Sequence, residues 1–386
     1  MSNVNKASIP TAQALDAWSN QSSETPNSLT IIADSNIASL DDFFNAQTLG
    51  QEIYQTVTVI KVAGRDIDAQ LLAKAQPDVL LVRSVTPVNA SLLADNDSVR
   101  FVGSATIGTD HIDQDYLIQR NIRFANAAGC SKHSVAQYVL TAILTLRPKY
   151  WQQPSTLGII GLGNIGSTLA QYAHDLGWQV LGYDPLLPES SINNASFEQV
   201  ITQSDAISLH VPLTQQDDSD YPTWHLIDQA ALAAMPADTL LINSARGPVI
   251  DAAALTSDIA ETKRQVALDV FEHEPQVFAP LLNQLALATP HIAGYTLEGK
   301  LRGTQMVYDA LCEQLALAPT QSMHQLLPLN TYLWSELKAH PERLIRFYDI
   351  RQDDKDLRAK LSDGQVSGAD FDKLRREYRL RREWQR

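Results

Sequence analysis

At 386 residues with 44% hydrophobic content, the chain is longer than one core usually organises, so two or three domains are expected. A formal net charge of −14 disfavours nucleic acid or an anionic membrane as partner, and no apolar run approaches the roughly 18 residues of a membrane span. The two cysteines, Cys130 and Cys312, have no C-x-x-C spacing and no metal-type His/Cys cluster around them. They suit a reducing cytosol, predict no metal site and are expected to be packing residues.

In chain order, residues 1–28 are rich in Ser, Asn, Gln and Ala and lack the charged start and apolar core of a signal peptide. They are expected to be a disordered extension. Regular structure should begin at Leu29, where LTIIAD closes on Asp34. VLLVRS (79–84) and VRFVGSAT (99–106) read as further buried strands separated by polar, helix-capable stretches. This βα alternation predicts a parallel sheet with helices on both faces. An apolar helix over 133–146, ending before Pro148, would lead into a second domain. After Asp184 four segments, DAISLHVP, DTLLINSARG, RQVALDVFE and LALATPHIAG, each place an apolar strand before a polar loop. A helix over 298–317 would return to the first domain, and beyond Pro319 the alternation stops. From there to Arg386 the chain carries 14 Lys+Arg against 11 Asp+Glu, and its end, KLRREYRLRREWQR, reads as a basic helix or tail.

The most informative stretch is TLGIIGLGNIGSTLAQYAHDLGWQVLGYD, residues 156–184. Gly161, Gly163 and Gly166 fit G-x-G-x-x-G: a tight turn, close backbone approach to a pyrophosphate, and close packing of helix on sheet. Three glycines in six residues could mark only a flexible loop. Here LGII precedes them, and Leu169, Tyr172, Ala173 and Leu176 follow at helical spacing. Pyrophosphate would sit on the amides that open the helix at Asn164 and Ile165. Asp184 closes the second strand about 20 residues on, as a ribose-binding carboxylate should. Pro185 and Leu186 after it, rather than an arginine, favour NAD over NADP.

Ligands of open α/β sheets bind beyond the carboxyl ends of the strands, which singles out Arg246, Asp269, Glu274 and His291. The planar fork of Arg246, in NSARGPVID, suits a carboxylate gripped at two points; an ordinary surface ion pair is the alternative. His291, after Pro290, suits proton removal near neutrality, although most histidines are simply satisfied core residues. Glu274, in DVFEHEP, is the candidate partner that orients the imidazole and favours its charged form, with Glu272 as local rival. A solvated loop carboxylate fits Glu272 better than Glu274. An Arg/Glu/His set around NAD implies 2-hydroxy acid chemistry, with Arg246 on the carboxylate and His291 on the hydroxyl proton.

Through GLGNIG, NSARGPVID, DVFEHEP and TPHIAGYT, in that order and spacing, the chain resembles the D-2-hydroxyacid dehydrogenase family from about Leu29 to Leu317. LVRSVTPVN, FVGSATIGTDHID, TPHIAGYTLEGKLRGT and the C-terminal FYDIR…FDKLRREYRLRREW resemble a branch acting on a phosphorylated 2-hydroxy acid. The resemblance implies Arg246, Glu274 and His291 as the catalytic set and Ser84, Thr106 and Tyr295 as substrate contacts. It further implies that Asn164, Ile165, Asp184, Ser244, Ala245, Arg246, Asp269 and Gly294 line the cofactor site. Gln137 departs from it, standing where related sequences often carry glutamate. Arg83, or an arginine from a partner subunit's C-terminal region, would meet the substrate phosphate.

The fold class expected is α/β: two doubly wound parallel-sheet, Rossmann-like domains and a smaller α+β C-terminal dimerisation domain. The boundaries drawn are 29–130 for a substrate domain completed by about 293–318, 131–292 for the NAD domain, and 319–386 for the C-terminal domain of a cytoplasmic homodimer. Three rival readings stand beside this one. The chain could act on another 2-hydroxy acid such as phosphoglycerate or hydroxypyruvate, sense NAD as a non-enzymatic binding protein, or bind nucleic acid through its basic C-terminus.

Overall fold

Most strands of this chain are uncharged runs of Val, Ile, Leu and Ala buried on both faces, the pattern a parallel sheet covered by helices requires. The computed structural model describes residues 28–51, 53–217 and 219–386. Apart from Ser28, the extension expected at 1–28 lies outside the described residues. Two compact units result: the chain up to Cys130 with Lys300–Pro328, and Ser131–Gly299 with Leu329–Arg386.

In the first unit, β1 (Ser28–Asp34), β2 (Thr56–Val62), β3 (Val79–Val82), β4 (Phe101–Ser104) and β5 (Arg123–Asn126) form a parallel sheet in the order β2-β1-β3-β4-β5. Ile32, Leu80, Val82 and Val102 from the strands share one apolar cluster with Leu72, Leu93 and Leu117 from the flanking helices and turns. β2 and β5 are the strands the sequence pattern conceals. Both lie at sheet edges and leave residues half-exposed, so neither carries an unbroken apolar run.

In the second unit the strands are β6 (Thr156–Ile160), β7 (Gln179–Tyr183), β8 (Ala206–Leu209), β9 (Leu240–Asn243), β10 (Val266–Leu268), β11 (Val277–Phe278), β12 (Leu287–Ala288), β13 (Leu361–Ser362) and β14 (Gln365–Val366). Six of them make a parallel sheet ordered β12-β10-β9-β8-β6-β7, whose strand order reverses at β6, between β7 and β8. β11, β14 and β13 make a small antiparallel sheet. The helix Lys132–Leu146 is buried along most of its length, and Leu297–Gln314 passes from the second unit into the first.

The C-terminal segment departs from the expected basic helix or tail. A helix does run from Gly368 to Arg376, but from Tyr378 the chain leaves it and makes two isolated bridges, Thr296 to Arg381 and Leu333 to Gln385. Trp384 is buried and stacked on Trp334 with ring centroids 5.6 Å apart. Gln137 explains the docking: its side-chain amide donates to the Tyr172 hydroxyl (2.8 Å) and the Trp384 carbonyl (3.0 Å) and accepts from the Trp384 N–H (2.9 Å). Among the described residues no helix is long and apolar enough to cross a membrane.

Candidate functional site

The glycine turn joins β6 to the helix Asn164–Asp175 at the point where the sheet's strand order reverses, the usual ligand site of an open α/β sheet. Gly161 has φ 90°, and a Cβ there would stand 2.6 Å from the His210 carbonyl oxygen at the end of β8. A Cβ on Gly166 would stand 2.0 Å from the Gly161 carbonyl oxygen, so only glycine lets the helix come this close to the turn. Gly163 differs: a Cβ there meets nothing within 4 Å. It is also the N-cap of a helix that no side chain caps, which leaves the first-turn amides at Asn164 and Ile165 without an intrahelical partner, as an anion site requires. Asp184, half-buried after β7, accepts from the Leu162 N–H (2.9 Å) and the Leu186 N–H (3.1 Å), tying the second strand's end to the turn. These residues fit a dinucleotide.

Arg246 follows β9. Asn243 shapes its turn by accepting from the Ala245 N–H (2.9 Å) and donating to the Arg246 carbonyl (2.8 Å), and Arg246 Nη1 donates to the Ala245 carbonyl (2.8 Å). The Ser244 hydroxyl is buried with no hydrogen-bond partner among the described residues. A Cβ on Gly247 would lie 2.0 Å from the Phe271 carbonyl, so the Arg246 turn lies directly against the loop bearing Glu274.

Glu274 spends one oxygen on the Phe271 N–H (2.8 Å) and the other on His291 Nδ1 (2.8 Å). Burial raises its carboxyl, but the His291 ring and its hydrogen bond, the Phe271 N–H and the Arg375 guanidinium together bring it below the usual carboxylate range. It is therefore an ionised acceptor, so Nδ1 of His291 carries the hydrogen and Nε2 keeps its lone pair. The His291 side chain is 33% exposed, open to a reactant.

His291 itself has φ 55°, left-handed backbone that a non-glycine residue adopts at a cost. Its N–H donates to the Asp269 and Thr289 carbonyls, and the next two amides, of Ile292 and Ala293, each donate to the Asp269 carboxylate at 2.8 Å. Asp269 is 1% exposed, and burial lifts its carboxyl to about 6 against the opposing pull of His291, Thr289 and those amides. Expected from sequence to line the cofactor site, it spends its carboxylate on shaping the turn that carries His291. Gly294 and Tyr295 complete that turn.

Arg246, Asp269, Glu274, His291, Gly294, Tyr295, Asp184 and the glycine turn all lie in the second unit. Ser84 and Thr106 lie in the first, just beyond β3 and β4, with Thr106 hydrogen-bonded to Ser104 (2.8 Å). Glu272 is not the solvated carboxylate expected: 13% exposed, it holds His225 Nε2 (2.8 Å) and the Ala252 N–H (3.0 Å). His210, not among the residues singled out from the sequence, is hydrogen-bonded to Ser208 (2.9 Å) at the strand-order reversal, where burial lowers its pKa to about 3 and keeps the ring neutral. Its signal was available in its place at the end of DAISLHVP.

The family model described as D-isomer specific 2-hydroxyacid dehydrogenase, NAD binding domain, matches residues 145–293, and one described as a domain of unknown function matches 335–386. The cofactor is accordingly NAD. An erythronate-4-phosphate dehydrogenase of Psychrobacter cryohalolentis is 70% identical over 375 residues, covering 92% of this chain and 97% of that protein. One of Acinetobacter baylyi is 49% identical, covering 92% and 98%. Among solved structures, the apo D-mandelate dehydrogenase of Rhodotorula graminis is 25% identical with a TM-score of 0.61, covering 74% of this chain and 94% of that one. The 3-phosphoglycerate dehydrogenase of Entamoeba histolytica, 22% identical with a TM-score of 0.60 and coverage of 75% and 96%, shares the fold.

Proposed function

We propose that this chain, which belongs to the erythronate-4-phosphate dehydrogenases of the D-2-hydroxyacid dehydrogenase family, oxidises 4-phospho-D-erythronate to 2-oxo-3-hydroxy-4-phosphobutanoate with NAD. The observation that carries the reading is His291 hydrogen-bonded to an ionised Glu274 on the sheet edge that also holds the glycine turn and Arg246. Bound NAD supplies the hydride acceptor. Nε2 of His291 takes the proton of the substrate's 2-hydroxyl, and Nδ1–H on Glu274 keeps the ring in the tautomer able to do so. Arg246 grips the substrate carboxylate and polarises the 2-oxygen, a task that suits a planar, permanently charged fork.

Ser84, Thr106 and Tyr295 are the substrate contacts in this reading. Gly161, Gly163 and Gly166 with the Asn164 and Ile165 amides take the pyrophosphate, and Asp184 takes the ribose. Ser244, Ala245, Arg246 and Gly294 line the cofactor, and Asp269 serves it by shaping the turn before Gly294. The assembly is a cytoplasmic homodimer through the C-terminal segment, with no nucleic acid among its partners. The test is NADH formation from 4-phospho-D-erythronate beside 3-phosphoglycerate and glycerate. Brisk turnover of either alternative with none of the four-carbon phosphate would overturn the substrate assignment.

A further inference from the structure

Residues 335–386 match a domain of unknown function, yet their contacts converge on the two loops that carry His291 and Glu274. The guanidinium of Arg381 donates to the Ile292 carbonyl (3.1 Å) and the Ala293 carbonyl (2.7 Å). The amides of those same two residues are held by Asp269, so the turn after His291 is gripped on its N–H side from β10 and on its C=O side from the C-terminus. Arg381 is itself locked. It stacks over the Tyr348 ring at 4.2 Å and donates to the Tyr378 hydroxyl (3.1 Å), while both phenols donate to Asp353 at 2.6 and 2.9 Å. Its backbone carbonyl accepts from the Leu297 N–H (2.9 Å), part of the isolated bridge between Arg381 and Thr296, the residue after Tyr295.

The Glu274 loop is held from the same segment. β14 pairs with β11 at Val277↔Val366. Phe371 packs edge-on against Phe271, with ring centroids 6.4 Å apart, and the N–H of Phe271 binds Glu274. Arg375, on the same helix as Phe371, places its guanidinium 5.9 Å from the ring centres of both Phe371 and Tyr295. Burial disfavours that cation, but the hydrogen-bonding Tyr295 phenol and the Glu274 and Asp372 carboxylates around it outweigh the cost and hold it charged.

We propose that the C-terminal segment is a positioning element for the proton-transfer pair: Arg381 fixes the left-handed turn that carries His291, and Arg375 is the cation behind Glu274. Neither arginine touches the reacting atoms; each acts through the pair. The inference rests on the reading of His291 as the base. The titratable groups that bear on the pair are Asp269 at the end of β10 and Arg375 from the C-terminal helix, with Asp372 and the neutral Tyr295 phenol beside that arginine. A cation behind Glu274 opposes a second positive charge on the ring, so its loss should let His291 keep its proton to higher pH.

The experiment measures kcat/KM against pH for wild type, Arg375→Met and Arg375→Lys, with a double-mutant cycle between Arg381→Lys and Glu274→Gln. The acid limb should move up by about 0.5–1 pH unit in Arg375→Met and return in Arg375→Lys, with the high-pH plateau kept. Arg381→Lys should cost about tenfold in kcat in the wild-type background but less than about twofold beside Glu274→Gln, since a positioning effect has nothing left to act through. An unmoved limb in Arg375→Met, or a limb that Arg375→Lys does not restore, overturns the role of Arg375; additive losses in the cycle overturn that of Arg381. If Arg381→Lys fails to fold, the Arg375 pair decides alone. His291→Ala separates this inference from its premise: should it keep wild-type turnover, the base assignment itself falls.

Discussion

Replacing Glu274 by glutamine tests the proton-transfer pair with almost no change in shape. The Phe271 N–H at 2.8 Å needs an acceptor, so the glutamine oxygen stays there and its NH2 turns toward His291 Nδ1. Nδ1 must then accept rather than donate, which moves the ring hydrogen to Nε2 and removes the lone pair that would take the hydroxyl proton. Losing general-base catalysis and a charge-assisted 2.8 Å bond should lower kcat by about 10²–10⁴, or roughly 3–5 kcal/mol of barrier. KM for NAD should stay within about twofold, because the glycine turn is untouched. Initial rates of NADH formation at saturating NAD, read beside the thermal midpoint, measure the effect. A folded Glu274→Gln protein with kcat within about threefold of wild type would refute the tautomer argument and with it the role given to His291.

The second and third glycines of the turn should respond oppositely to alanine. Gly166→Ala drives a Cβ to 2.0 Å from backbone and should cost about 1–3 kcal/mol of stability, whereas Gly163→Ala, whose Cβ meets nothing, should leave the thermal midpoint in place while raising KM for NAD. Equal midpoints for the two variants would contradict this account of the turn. Gln137→Ala removes three buried hydrogen bonds that hold Trp384 and Tyr172, and denaturant titration should register a loss of about 2–3 kcal/mol. The raised carboxyl of Asp269, about 6 in the folded chain, lies above the unfolded value near ~3.9, so its contribution to stability is present at low pH and lost as pH rises through 6. Wild type should therefore gain about 1.3 kcal/mol relative to Asp269→Asn on going from pH 7 to pH 5, and a difference independent of pH would count against the assignment.

Legibility from sequence followed the range of the interactions. The glycine turn was readable because its motif falls within 29 consecutive residues, from Thr156 to Asp184, although of its three glycines only Gly166 answers a steric demand inside that stretch, Gly161 meeting His210 and Gly163 meeting nothing. The strand-end residues were readable because parallel strands deliver their loops to one edge, so Arg246, Glu274 and His291 could be grouped without knowing their distances. The edge strands β2 and β5 were hidden by half-exposure, which breaks the apolar run that marks a strand. Gln137 gave no warning of its importance, since nothing in a helical pattern tells a buried polar side chain from an exposed one until its partner, Trp384, is known. The basic C-terminus misled for the same reason. Arginines at the end of a chain usually face solvent, whereas Arg381 faces two carbonyls 88 and 89 positions away in sequence.

That distance bears on how the site is held. A residue other than glycine at φ 55° costs about 1–2 kcal/mol relative to ordinary backbone, and such a conformation persists only where its surroundings fix it more than once. Around His291 the fixing comes from three directions: the Asp269 carboxylate beneath the next two amides, Glu274 on the ring, and Arg381 over the two carbonyls. Together they allow one arrangement, with the ring aimed by a carboxylate on one side and Nε2 left for a reactant on the other. A parallel sheet supplies the first two anchors by its own topology, because both lie at strand ends of the same edge. The third has to come from outside the sheet, and the bridged, buried end of the C-terminal segment is where this chain provides it.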